Sequence, residues 1–102
     1  MVAENLGCWA DTSNRAVQPL EGLVSVLDGP YESRREALEK CIQAGYLRGY
    51  NVIALQNGGW CAGARDALYT YKKYGASNKC EADGKGGPWA NQVYRLQIKM
   101  EE

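Results

Sequence analysis

The chain has 102 residues, with twelve basic and twelve acidic side chains and no histidine. That length suits one domain with a modest core, and zero net charge argues against nucleic acid or an anionic membrane surface as partner. Without histidine the commonest general base and the commonest metal ligand are missing, and the apolar runs are far too short to cross a membrane.

In chain order, Met1-Val2-Ala3-Glu4 lacks the basic start and apolar stretch of a secretion signal. Residues 1–4 read as added or linker residues before a single domain over 5–98, with 99–102 as a tail. Asn5-Leu6-Gly7-Cys8-Trp9-Ala10 reads as a short strand ending in the turn formers Asp11-Thr12-Ser13-Asn14. From Arg15 to Tyr31 no period is clear, and Pro19, Gly22, Gly29 and Pro30 predict a long loop or irregular ribbon. Within it Leu23, Val24, Val26 and Leu27 suit a short strand or an exposed apolar tip.

The clearest element is a helix over about 33–48. Ser33-Arg34-Arg35-Glu36 has the form of a capping box, the hydroxyl meeting one free amide while Glu36 reaches back to another. Leu38, Cys41, Ile42 and Gly45 follow the spacing of one buried stripe, and Gly49 is the expected stop. Arg34, Arg35, Glu36, Glu39 and Lys40 then form a solvated face.

Asn51-Val52-Ile53-Ala54-Leu55 is apolar on both faces and reads as a central strand. Gln56-Asn57-Gly58-Gly59 suits a tight hairpin, and Trp60-Cys61-Ala62 is the returning strand. A short second helix is predicted over about 64–74, with Leu68 and Tyr71 inward and Gly75 as its stop. Residues 77–91 read as loop; 93–98 alternate, with Tyr94, Leu96 and Ile98 on one face and Arg95 and Gln97 on the other. The order argues for an α+β fold, a small antiparallel sheet packed by one main helix.

Cys8, Cys41, Cys61 and Cys80 lie far apart and none has close metal-ligand spacing. An even count at long spacing in a short chain predicts a disulfide framework and an oxidising, extracellular setting. Two such crosslinks contribute roughly 3–4 kcal/mol each in the chain-entropy model. The alternative is a cytosolic protein with four reduced, buried thiols. Three pairings are open on spacing alone.

The aromatic set is three tryptophans and seven tyrosines with no phenylalanine. Rings with a polar edge suit surfaces that are both apolar and wet. The apolar face of a sugar stacks on such a ring while amides take its hydroxyls. Trp89, in a glycine-rich loop near Asn91 and Gln92, is the best platform of this kind, with Trp60 and Tyr74 as further ligand-binding candidates. The plainer reading packs Trp9 and Trp60 on the disulfides beside them and leaves Tyr69, Tyr71 and Tyr74 on a helix. Glu81-Ala82-Asp83-Gly84-Lys85-Gly86-Gly87 has acids beside glycines but lacks the ligand pattern of a calcium loop and the Gly-Lys-Ser/Thr ending of a phosphate loop. It is expected to be a turn. Asp11, Asn14 and Arg15 are expected to form a turn with an ion pair. No acidic pair is forced together by spacing and no base can activate a thiol, so neither catalysis nor a cofactor is expected.

Gly7-Cys8-Trp9-Ala10-Asp11 followed by Asn14-Arg15-Ala16 resembles the opening of a WSC domain. Cys41, Gly45-Tyr46 and Gly58-Gly59-Trp60-Cys61-Ala62-Gly63 match the order of its middle, and Gly86-Gly87 with Val93-Tyr94 its end. The chain is also similar to a module repeated in large extracellular proteins of marine invertebrates, in which Gly86-Gly87-Pro88-Trp89-Ala90-Asn91 has counterparts, and more loosely to PAN/apple modules. WSC domains usually carry eight cysteines where this chain has four, and the stretch from Gln18 to Tyr31 is additional. The resemblance implies a secreted, lectin-like, carbohydrate-binding module; shallow loop sites of this kind bind weakly, so tandem repeats or a homo-oligomer are expected to supply avidity. A structural or adhesive module contacting extracellular proteins through Leu23–Leu27 is the alternative. The PAN-like analogy implies Cys41–Cys61 and Cys8–Cys80, against the rival Cys8–Cys61 with Cys41–Cys80.

Overall fold

The computed structural model describes residues 2–12, 15–65, 70–81 and 83–97. Strands β1 (Val2–Ala10), β2 (Val52–Gln56), β3 (Trp60–Ala64) and β4 (Ala90–Gln97) form one antiparallel sheet in the order β1-β4-β2-β3. Helix α1 (Ala37–Leu47) covers one face. There Cys41 and Ala44 meet Ile53, Leu55, Cys61 and Leu96. The other face has no helix among the described residues. Ala16, Val17 and Tyr71 lie on Val52, Ala54, Ala62 and Val93 instead. β2 is central and apolar from Val52 to Leu55, all four fully buried, because both of its faces are covered.

The edge of β3 and the end of the β1 edge at Cys8–Ala10 are also covered. Pro19 bridges to Ala62, the Leu20 amide donates to the Cys61 carbonyl, and the Gly63 amide donates to the Gln18 carbonyl, so the loop seals β3. On β1 the Ala10 amide donates to Gly75 and the Ser77 amide to Cys8. Unpaired strand edges invite association with other chains, and these stretches are closed from within.

Helix α1 begins later than its sequence suggests. Ser33 ends a separate turn of 3-10 helix, Tyr31–Ser33, and the N-cap is Glu36, whose φ of 52° is left-handed and whose side chain makes no capping bond. The capping box does not form because Arg34 turns inward. It is 7% exposed rather than part of a solvated face. Its guanidinium pairs with both Glu21 oxygens (2.7 and 2.8 Å) and donates to the carbonyls of Gly59 and Leu27. Glu21 in turn accepts from the Cys61 amide at 2.8 Å. The stop at Gly49 is as expected: its amide donates to Tyr46 and that of Tyr50 to Gly45, the two bonds of a Schellman ending. Of the predicted stripe, Cys41 and Gly45 are buried and Leu38 and Ile42 half-buried. Gly45 is required by close approach, since a Cβ there would lie 2.5 Å from the Ile53 methyl.

Other expectations change. Leu23–Leu27 is neither strand nor apolar tip: Ser25–Leu27 is a 3-10 turn, Leu27 is buried, and Val24 and Val26 pack on the core. Only Leu23 stands out, at 55% exposure. Among the described residues of 64–74 there is no α-helix; Ala64 ends β3 and Thr70–Tyr74 are turns. These turns lead into Gly75–Ser77, which pair with β1. Tyr71 still points inward, while Leu68 and Tyr69 lie outside the described residues. β4 starts at Ala90 rather than Val93, so Asn91 and Gln92 are strand residues; Ile98 lies outside the described residues. Tyr94 and Leu96 face α1 as their alternation suggests.

The disulfides are Cys41–Cys61, joining α1 to β3, and Cys8–Cys80, joining β1 to the late loop. Their spans of 20 and 72 residues correspond to about 3 and about 4 kcal/mol of chain entropy. The Arg34–Glu21 pair does noncovalently for the 15–31 loop what the disulfides do elsewhere. Arg34→Met strands the Glu21 carboxylate and two carbonyls, so chemical denaturation is expected to show a loss of about 3 kcal/mol or more. A loss well below about 1 kcal/mol, the level of an exposed pair, means that the clamp is not structural.

Candidate functional site

At one end of the sheet, on the face away from α1, the strand ends bring polar residues together. Gln56 is the last residue of β2, Trp60 the first of β3 and Asn91 the second of β4; the three pair in register. Asp11 follows β1 directly, and its amide donates to the Trp89 carbonyl at 2.9 Å. Gln56 Nε2 donates to Asp11 Oδ2 (2.9 Å) and to Asn91 Oδ1 (2.8 Å). Arg15 Nη1 donates to Asp11 Oδ2 at 3.0 Å and to Gln56 Oε1 at 3.3 Å.

Above this network the Arg15 guanidinium lies between two indoles, 4.4 Å from the Trp60 ring and 4.8 Å from that of Trp89. Cation–π contact on both sides holds a long side chain in one pose. Trp89 reaches its place through a tight turn, Gly87-Pro88-Trp89-Ala90, closed by the Ala90 amide on the Gly87 carbonyl at 3.1 Å. Its φ of 52° is left-handed, a conformation that glycine occupies easily and a bulky residue does not. The turn rests on Gly86, whose φ is 75° and where a Cβ would come within 2.2 Å of the Leu55 carbonyl. Only glycine lets this loop lie so close to β2. Arg15, Trp60, Trp89, Gln56, Tyr31 and Asn57 border a cleft of about 180 Å³. Trp89, 50% exposed, also borders a wider hollow of about 630 Å³ beside Ser77, Asn78 and Lys79.

Of the residues expected to touch ligand, Trp89 and Trp60 come together around Arg15. Asn91 lies beneath them, fully buried, with its side chain engaged by Gln56. Gln92 is one position along β4 and so faces the other side of the sheet, where it donates to Asn5 at 2.8 Å. Neither amide lines the cleft. Tyr74 packs at the margin of the second core with Lys73 over its ring at 5.0 Å, away from both hollows. Trp9 and Trp60 do not stack on the neighbouring disulfides. Adjacent strand residues point to opposite faces, and both indoles pack on the cluster opposite α1. Trp9 also meets Tyr71 edge-on at 5.4 Å. Among the described residues of 81–87, 81 and 83–87 form a turn: the Glu81 amide donates to the Gly86 carbonyl, and Asp83 accepts from the Lys85 amide at 2.9 Å. Among the described residues no cluster of three acidic, cysteine or histidine side chains could hold a metal.

Gln56, Tyr31 and Asn57 are additions that the sequence reading lacked. For Gln56 the available signal was an amide closing a continuous apolar strand, a position that demands a partner. The expected Asp11–Arg15 ion pair is present, at 3.0 Å, while Asn14 lies outside the described residues.

Burial by itself raises the Asp11 carboxyl. Hydrogen bonds from the Ala16 amide, Gln56, Arg15 and the Thr12 amide outweigh it and hold the group below its ordinary value of 3.8. A lowered folded-state value stabilises the fold fully above the ordinary carboxylate range and is lost as pH falls through the folded value. The stability gap between wild type and Asp11→Asn is therefore expected to hold steady from about pH 8 to pH 5 and to narrow below about pH 4. A gap unchanged down to the acid limit of folding contradicts this assignment. The strained turn has its own signature: Trp89→Gly should be more stable than Trp89→Ala by about 1 kcal/mol, since only alanine retains the left-handed penalty. Equal denaturation midpoints for the two variants rule out backbone strain at Trp89. The sequence matches no family model and no curated protein.

Proposed function

We propose that the chain is a secreted, non-catalytic carbohydrate-binding module and that the cleft of Arg15, Trp60 and Trp89 is its sugar site. The observation that carries this reading is Trp89, a half-exposed indole on a left-handed backbone. A ring serving only the core would be buried. Strain kept at an exposed aromatic is typical of a recognition surface. Arg15 and Tyr31 supply hydrogen-bonding groups beside the rings and Asn57 supplies an amide, while Gln56 is engaged in the network beneath them. The cleft, at about 180 Å³, falls below the roughly 300 Å³ lower bound of drug-sized pockets. It has room for one sugar ring. So small a contact binds weakly, and useful avidity then comes from several copies. The two disulfides are compatible with an oxidising compartment, and the WSC-like motifs point the same way.

An adhesive module that contacts proteins is the second reading. It draws on Leu23, Tyr46 and Leu47, exposed at 55%, 55% and 69%. A glycan array separates the two. The wild type is expected to retain a defined set of saccharides, and Trp89→Ala to weaken that binding at least about tenfold with an unchanged fold by circular dichroism. An empty array, together with self-association abolished by Leu47→Asp, favours the adhesive reading instead.

A further inference from the structure

The hollow on the other side of Trp89 differs from the cleft in charge. Its wall is the segment from Ala76 to Lys79, tied to the sheet by the Trp9–Ala76 bridge, the Ser77 amide bond to Cys8 and the Cys8–Cys80 disulfide. Residues 70–80 carry Lys72, Lys73 and Lys79 and no acid, in a chain whose total charge is zero. All three lysines are exposed. Among the described residues no carboxylate forms an ion pair with any of them. Lys72 rests over the Trp9 and Tyr71 rings, 5.4 Å from each, and Lys73 over Tyr74 at 5.0 Å. Asp11 also borders the hollow, but its side chain is fully buried and already occupied by Arg15, Gln56 and the Ala16 amide. The hollow thus combines an indole, a hydroxyl (Ser77), an amide (Asn78) and an uncompensated ammonium (Lys79).

We infer that this hollow is a second subsite for an acidic sugar residue, one that bears a carboxylate or a sulfate. The ring lies against Trp89, Ser77 and Asn78 take hydroxyls, and Lys79 takes the anionic group. Lys72, over the ring of Trp9, whose backbone bridges to Ala76, extends the same field along a longer acidic chain. Trp89 is then a wall shared by two adjoining subsites, one for a neutral ring and one for a charged ring. The inference rests on the carbohydrate reading and adds the class of ligand to it.

The test is calorimetric titration of the full chain with oligosaccharides of equal length in three forms: uronate-containing, sulfated and neutral. Inorganic polyphosphate serves as an anion without sugar. At low salt an acidic oligosaccharide is expected to bind about fivefold or more tightly than the neutral one, the advantage shrinking as salt screens it. Lys79→Gln is expected to remove about that fivefold while leaving neutral binding intact. The uronate and sulfate arms identify which anion the subsite takes. Neutral binding that depends on Trp89 without any acidic preference overturns this inference and leaves the sugar reading standing. Polyphosphate binding as tight as the acidic sugars and indifferent to Trp89→Ala also overturns it, because charge alone then explains the attraction. Absence of binding to every saccharide overturns both.

Discussion

A four-stranded sheet with apolar side chains on both faces must be covered twice, and this chain has only one α-helix among its described residues to do it. That constraint shapes everything else. Helix α1 takes one face, and the second falls to loop residues: Ala16 and Val17 from one connection, Tyr71 from another. Loops make poor covers, because each ordered residue loses about 1–2 kcal/mol of backbone freedom. They stay in place only where something fixes them.

The fixings are local and chemically different. Cys8–Cys80 anchors the later connection to β1, and Cys41–Cys61 ties the helix to β3. The earlier connection has no cysteine, and the pair of buried Arg34 with partly exposed Glu21 holds it through two guanidinium–carboxylate bonds and three backbone partners. A buried charge pair is a weak source of net stability but a strong source of specificity for one loop course, since any other course strands the charges. Its position explains why the helix starts at Ala37: the residue best placed to begin a helical turn is spent on the clamp.

The proposed site inherits its order from this arrangement. Because the covering loops end where the strands end, Asp11, Gln56, Trp60 and Asn91 converge at one edge of the molecule. The buried network of Asp11, Gln56 and Asn91 fixes Arg15, and Arg15 fixes the two indoles. Recognition through rigid aromatic faces loses little entropy on binding. The Trp89 turn carries the opposite signature, a side chain where glycine fits better, which stability alone does not favour.

How much of this could be seen in advance depends on whether the signal was local. The central strand at 52–55, the Asn57-Gly58 hairpin, the end of the helix at Gly49 and the alternation of Tyr94 and Leu96 all follow from short-range patterns, and the structure has them. The sequence by itself determined an α+β fold with a central apolar strand, because period and turn chemistry are written within a few residues. The disulfide pairing followed from likeness to known modules, since spacing left three options. What only the tertiary structure decided are the relations over long separations. Arg34 looks like a solvated helix residue until Glu21 and two distant carbonyls surround it. Asn91 and Gln92 look like loop amides until β1 and β2 pair on either side and turn one to each face. Arg15 meets Trp60 and Trp89 across 45 and 74 positions of chain, and no local rule connects them. Burial and charge pairing are properties of the assembled neighbourhood, so the site became legible only once the neighbours were in place.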